Sequence, residues 1–285
     1  MSVVFFKVTG SGNDFVMLDG RVNSPADWDA ARIQSICDRR DGVGADGLVF
    51  VTPEATPDTI RMTFFNSDGS RAAMCGNAAL CSTRLAARLE MADPAGMTLV
   101  TDAGTYQTRC VGPGHLAELH LADAPVPAPI GIPVVEGERA MLFGTIGVPH
   151  LVTVVADVRS VDLETRGRFL RNDPATGPAG ANANFVSRIS GSTGAGTGSR
   201  NPAEPTWAIR TFERGVEGET LACGTGTVAA ALALAVSGED QLPLRFRSGG
   251  GRVLTVQATV GDDGVAREVW LCGEGRIVAR GVWEG

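Results

Sequence analysis

A chain of 285 residues, 44% hydrophobic and 20% charged, is long enough to bury a core as one large domain or two ordinary ones, and charges or prolines interrupt every apolar run before it reaches bilayer length. A net charge of −7 and a pI near 5.1 argue against a nucleic-acid surface. The start, Met1 to Asp14, holds one lysine and a Val3-Val4-Phe5-Phe6 run too short for a secretory segment, so the chain reads as cytoplasmic, with no membrane partner. Six cysteines are too sparse for a disulfide scaffold, none has Cys-x-x-Cys spacing, and only three histidines accompany them. Reduced thiols and no bound metal are expected. Lys7 is the only lysine and sits in an opening strand without a phosphate cradle, which argues against pyridoxal phosphate.

In chain order, Val3 to Val8 reads as a strand broken at Gly10-Ser11-Gly12, with a second strand over Phe15 to Leu18. Asp27 is the predicted cap of a helix whose apolar face is Trp28, Ile33, Ile36 and Cys37. Gly42-Val43-Gly44-Ala45-Asp46-Gly47 leads into a strand at Leu48 to Val51, and Ile60 to Phe65 forms another before the turn Asn66 to Gly69. A helix follows Cys75 to about Met91, then strands to about Leu121. Pro125-Val126-Pro127-Ala128-Pro129 marks a boundary between an N-terminal half, 1–125 completed by a final strand at 276–285, and a C-terminal half, 126–275.

Beyond the boundary the order repeats. Phe143 to Val152 matches the opening strand–glycine–strand unit, a charged helix spans Leu163 to Arg171, and Asn182 to Val186 takes the place of Ala45 to Val49. Ser190 to Pro205 reads as a mobile, solvent-exposed loop. Trp207 to Phe212 is a strand, a second cysteine-led helix runs to about Ser237, and Val253 to Trp283 alternates strands and glycine turns. The expected fold is therefore α/β of the α+β kind. Two pseudo-symmetric halves each wrap a mainly antiparallel sheet around a central helix, with an active site expected in the cleft between them.

The chemistry lies in the two helix starts, Met74-Cys75-Gly76-Asn77 and Ala222-Cys223-Gly224-Thr225-Gly226. One cysteine before an alanine-rich helix is ordinary packing, and Cys37, Cys81, Cys110 and Cys272 read that way. Two in matched frames form a chemical pattern. A thiol at a helix N-terminus feels unpaired N–H groups and the positive dipole end, which favour the thiolate, and the same N–H groups bind carboxylates. One thiolate can remove a proton from a carbon beside a carboxylate while the opposite thiol supplies one, inverting the centre. Asn13, Asn66, Asn182, His150, Glu213 and Arg214 fall where the two repeats would converge.

These residues resemble the diaminopimelate epimerase family. The resemblance rests on Gly12-Asn13-Asp14-Phe15, Gly42 to Gly47, Phe65 to Gly69, Met74 to Asn77, Pro149-His150, Asn182 to Phe185, Glu213-Arg214-Gly215 and Glu219 to Gly226. It implies a cofactor-independent isomerase that interconverts LL- and meso-2,6-diaminopimelate in lysine and peptidoglycan synthesis, often as a homodimer. It also implies Cys75 and Cys223 as the two bases, with the reacting carboxylate against the N–H groups of Gly76, Asn77, Gly224 and Thr225. Asn13 and Asn66 would line the pocket, Asn182 and Arg214 would hold the distal amino-acid end, and His150 and Glu213 would tune the thiols. Val148, Ala78 and Leu80 depart from the family pattern, where asparagine, glycine and arginine are usual. The alternative is a racemase or epimerase of histidine, proline or hydroxyproline type on the same fold, motivated by Val148. Phenazine-biosynthesis-like relatives lack the cysteine pair.

Overall fold

Val3–Gly10 (β1) folds back on Asn13–Asp19 (β2) because Ser11 and Gly12 take φ of 49° and 124°, which reverses the chain in two residues. The computed structural model describes residues 2–189 and 204–285, and its chain falls into two compact units: Met1–His120 with Cys272–Gly285, and Leu121–Leu271. The predicted loop at Ser190 to Pro205 lies, up to residue 203, outside the described residues.

The first unit continues through α1 (Ala30–Cys37), β3 (Gly47–Pro53), β4 (Thr59–Asn66), β5 (Arg71–Ala72), α2 (Gly76–Arg88), β6 (Met97–Thr101), β7 (Gly104–Val111) and β8 (Leu116–Leu121). The closing strand Arg276–Trp283 pairs antiparallel with the free side of β1. From there the ladder runs β1, β2, β3, β4, β6, β7, β8, antiparallel throughout except for the parallel pairs β2–β3 and β4–β6. Val16, Met17, Leu18 and Leu48 through Val51 are apolar on both faces because α1 covers one side of β3 and α2 the other.

The cap of α1 is Asp29, whose carboxylate accepts the Arg32 N–H at 2.8 Å, and not Asp27. Pro25 starts a separate 3₁₀ turn capped by Ser24, and that turn consumes Asp27 before the helix begins. The helix after Cys75 ends at Arg88 rather than Met91. Glu90 takes φ 54°, and its N–H and that of Met91 bond back to Ala87 and Ala86 in a Schellman closure.

The second unit holds β9 (Ala124–Pro125), β10 (Ala128–Pro129), β11 (Glu138–Ile146), β12 (Val148–Val155), α3 (Arg168–Arg171), β13 (Asn182–Arg188), β14 (Trp207–Glu213), β15 (Gly218–Thr220), α4 (Gly224–Val236), β16 (Leu244–Arg247), β17 (Val253–Val260) and β18 (Val265–Glu274). The proline connector therefore contributes two short strands to this unit, and the division falls just before it. The segment Leu163 to Arg171 is a π-helical turn running into the single turn of α3, not one regular helix. In α4, Val228 through Leu234 are all fully buried among β11, β12, β13 and β17. A helix apolar all round belongs inside, and its alanines let strands approach from several sides.

The two units repeat residue by residue. β11–β12 antiparallel, β12–β13 parallel, β13–β14 and β14–β15 antiparallel, β14–β16 parallel and β16–β17 antiparallel reproduce the first unit's order. Both central helices are 13 residues long, each with a cysteine as N-cap, and α4 closes through Gly238 at φ 74° as α2 closes through Glu90. Phe15 pairs with Gly47 and Val49 with Phe64, while His150 pairs with Asn182 and Asn184 with Thr211. Phe15, Val49, Phe64 and Cys75 are thus the counterparts of His150, Asn184, Thr211 and Cys223.

Candidate active site

In the first unit Cys75 caps α2 with extended backbone (φ −145°, ψ 120°) and no side-chain capping bond, and it is half-buried. The helix ladder begins with the Ala79 N–H on the Cys75 carbonyl at 2.9 Å. The N–H groups of Gly76, Asn77 and Ala78 are the ones an α-helix leaves outside its own ladder. Asn77 is buried, and its Nδ2 donates to Asn13 Oδ1 at 2.7 Å. Asn13 Nδ2 in turn donates to Asp46 Oδ2 at 3.0 Å, which also accepts the Asp14 N–H at 3.1 Å.

Arg39 bridges the two carboxylates, at 2.7 Å from Asp14 and 2.6 Å from Asp46, and the Lys7 ammonium bonds Asp14 and the Gly44 carbonyl. Burial alone would raise the Asp14 carboxyl, but Arg39 and Lys7 outweigh it and hold it at about 2. This charged ring fixes Asn13 against the helix start. Asn66 stands at the exposed end of β4, opposite Gly47 on β3, and donates to Ser70 Oγ at 3.0 Å.

In the second unit Cys223 caps α4 in the same way (φ −121°, ψ 112°) but is only 8% exposed, with Sγ 3.8 Å from Thr225 Oγ1. The Thr227 N–H opens the ladder on the Cys223 carbonyl at 2.9 Å, leaving Gly224, Thr225 and Gly226 outside it. His150, on β12, is completely buried, and its Nδ1 lies 3.3 Å from Asn184 Nδ2. Burial, aided by the Arg214 charge, holds the imidazole down at about 3 against a contrary pull from the Ile146 backbone, so the ring is neutral.

Glu213 ends β14, and burial pushes its carboxyl above the ordinary range, with Thr220 acting the other way. Asn182 is buried, and its Oδ1 accepts the Arg214 N–H at 2.8 Å. The Arg214 guanidinium, half-buried, has no hydrogen bond or ion pair among the described residues.

Burial pushes Cys37 up to about 11 and raises Cys81 and Cys110, while Cys110 and Cys272 are half-buried rather than core. Cys81 packs onto Gly10, where any Cβ would lie 2.5 Å from its sulfur. Among the described residues, which include all six cysteines, no disulfide forms, and no three of His, Cys, Asp and Glu gather to hold a metal ion. Ala78 and Leu80 are fully buried in α2, while Val148 is half-buried opposite Ile146.

The sequence reading missed the Asp46–Arg39–Asp14–Lys7 ring and the pair Asn184–Thr211. Asn184 carried a visible signal. It is polar, two residues after Asn182 on one face of an otherwise apolar strand.

A family model described as diaminopimelate epimerase matches residues 5–123 and 143–269. The diaminopimelate epimerase of Gemmatimonas aurantiaca is 42% identical over 286 residues, covering 97% of this chain and 98% of the relative, and that of Aquifex aeolicus is 34% identical over 289 residues, covering 96% and 97%. Among solved structures, a Bacillus anthracis phenazine biosynthesis protein of the PhzF family superposes with TM-score 0.72 at 15% identity, each chain covered to 99%. A hydroxyproline epimerase from Agrobacterium vitis superposes at 0.57 with 16% identity, over 99% of this chain and 92% of that one. These two share the fold. With the family model spanning both units and relatives above 30% identical over nearly the full length, this chain belongs to the diaminopimelate epimerase family.

Proposed function

We propose that this protein interconverts LL- and meso-2,6-diaminopimelate without a cofactor, with Cys75 and Cys223 acting on opposite faces of the reacting carbon. One thiolate takes the α-hydrogen as a proton, the electron pair spreads onto the carboxylate, and the other thiol returns a proton to the opposite face. No oxidation occurs, and the two thiols exchange protonation states each turnover.

The observation that carries the reading is the doubled helix start: two 13-residue helices, each capped by a cysteine whose side chain makes no capping bond. The N–H groups of Gly76, Asn77, Gly224 and Thr225 suit the negative charge that develops on the carboxylate. Asn13 and Asn66 line the pocket, and His150 and Glu213 tune the thiols. At the far end, the Arg214 guanidinium, which has no hydrogen bond or ion pair among the described residues, and Asn182 suit a second amino-acid group, which proline and hydroxyproline lack. A homodimer in the cytoplasm accompanies this reading by family resemblance. No helix among the described residues is long and apolar enough to cross a membrane.

The test is incubation of purified protein with LL-diaminopimelate in deuterated water. Meso product carrying deuterium at the inverted carbon is expected. Inert diaminopimelate alongside exchange into another amino acid would refute the assignment.

A further inference from the structure

The residue-by-residue repeat also exposes a difference. Where the first unit stacks Phe15, Val49 and Phe64, with the two rings edge to face at 5.8 Å, the second unit buries His150, Asn184 and Thr211. The same frame can be filled with hydrocarbon, so the fold does not require a polar trio there. Burying such groups is unfavourable by about 1–3 kcal/mol each unless they are satisfied.

The neighbours of Asn184 decide which way its amide points. Nδ2 donates to the Leu151 carbonyl at 3.0 Å and the Asn182 carbonyl at 3.2 Å, while Oδ1 accepts from Thr211 Oγ1 at 2.9 Å. Turning the amide over would set its oxygen against two carbonyl oxygens. The group facing His150 Nδ1 at 3.3 Å is therefore an amide NH2, whose two hydrogens are shared among three neighbours and whose nitrogen cannot accept, so a bare Nδ1 with the neutral ring's proton on Nε2 is the arrangement that avoids setting N–H against N–H. His150 Nε2 is buried with no hydrogen-bond partner among the described residues. On its other side Asn184 Oδ1 abuts Gly226, and a Cβ built there would lie 2.3 Å from that oxygen and 3.2 Å from Cys223 Sγ.

We propose that Asn184 is a positioning residue: it locks His150 in the Nε2–H tautomer and ties the imidazole to the helix start that carries Cys223. The proposal rests on the assignment of Cys223 and His150 to the epimerisation. Without the amide the ring can turn its proton inward, converting a donor into an acceptor at the reacting end.

The test is a long-range ¹H–¹⁵N correlation spectrum of the full-length protein, which has three histidines, with His150 assigned through His150→Gln. The expected result is Nε2 protonated and Nδ1 bare. The double variant Asn184→Val/Thr211→Val copies the first unit's apolar filling at Asn184 and leaves no orphan hydroxyl. It should lose the tautomer bias, and kcat should fall by about 10² or more with KM within roughly threefold. Thr211→Val alone should give a smaller loss. A wild-type ring protonated on Nδ1, or a double variant with unchanged tautomer or unchanged kcat, would overturn the proposal. A wild-type protein with the expected spectrum but no diaminopimelate turnover would instead refute the functional reading beneath it.

Discussion

Gly226 is the position where a single methyl group reports on the second helix start. A Cβ there would lie 2.3 Å from Asn184 Oδ1, and 3.2 Å from both Asn184 Cγ and Cys223 Sγ. Ordinary contact needs about 1 Å more. The amide cannot simply retreat, because Thr211, Leu151 and Asn182 hold it from the other sides. Overpacking of this kind is destabilising by about 1–3 kcal/mol, and a strained buried hydrogen bond adds about 1 kcal/mol. Replacing glycine by alanine inside a helix returns at most about 1 kcal/mol. Gly226→Ala should therefore lose about 1–3 kcal/mol net, several degrees in Tm, with a disproportionate fall in kcat as His150 and Cys223 lose their alignment. Thermal melting and the deuterium-exchange assay on the same preparation measure both. The first unit supplies the comparison, since a buried alanine, Ala78, occupies the equivalent position there, three residues after Cys75. A Gly226→Ala protein with parental Tm and turnover would refute the claim that the amide is immobile.

Arg214→Ala should raise KM for diaminopimelate about 10- to 100-fold through loss of one charge-assisted contact, while a short amino acid loses little; equal losses in a side-by-side assay would remove Arg214 from the distal end. Asp14, held at about 2, contributes stability that is fully present above its unfolded value near 3.8 and is lost as pH falls through 2. Asp14→Asn should accordingly flatten the acid limb of a Tm-against-pH curve between about pH 4 and 2, by about 1–2 kcal/mol after allowance for solvent screening, and an unchanged limb would contradict the ring's role. Cys75→Ala and Cys223→Ala should each abolish inversion, yet the remaining thiol can return a proton to the face it took it from. Deuterium should then enter one configuration per variant, with retention, and inversion by either variant would refute the two-base scheme.

Much of this architecture could be read from residue order because the repeat is written in local chemistry. Glycine turns, Phe-led strand ends and cysteine-led alanine runs recur in both halves, and each specifies its own backbone. Helix limits were less legible. Asp27 and Asp29 are equally good caps in isolation, and only the 3₁₀ turn after Ser24 selects the second. The end of α2 depended on a glutamate accepting positive φ, which composition does not announce. The supporting residues were least visible. Asp46 and Arg39 look like loop charges until β2 and β3 pair in parallel and bring Asp46 beside Asn13.

Duplication also explains why the two helix starts are alike where the peptide matters and unlike where the side chains do. In the proposed reaction, stabilising one carboxylate from two sides would call for the same donors twice, and the two helices, equal in length and each capped by an extended cysteine, are alike in that respect. Delivering and removing a proton at one carbon calls for two thiols that are never in the same state at once. The half-buried Cys75 is backed by amides leading into a ring of balanced charges, Asp46, Arg39, Asp14 and Lys7. Beside the buried Cys223, Gly226 abuts the neutral Asn184 amide, which in turn meets a neutral imidazole at His150. A charged ring holds its geometry by electrostatics and tolerates water; a neutral trio holds it by exclusion of water and by the direction of each hydrogen bond. The second arrangement fails when one donor is turned round, which is why the test of this enzyme's asymmetry lies at Asn184, not at either sulfur.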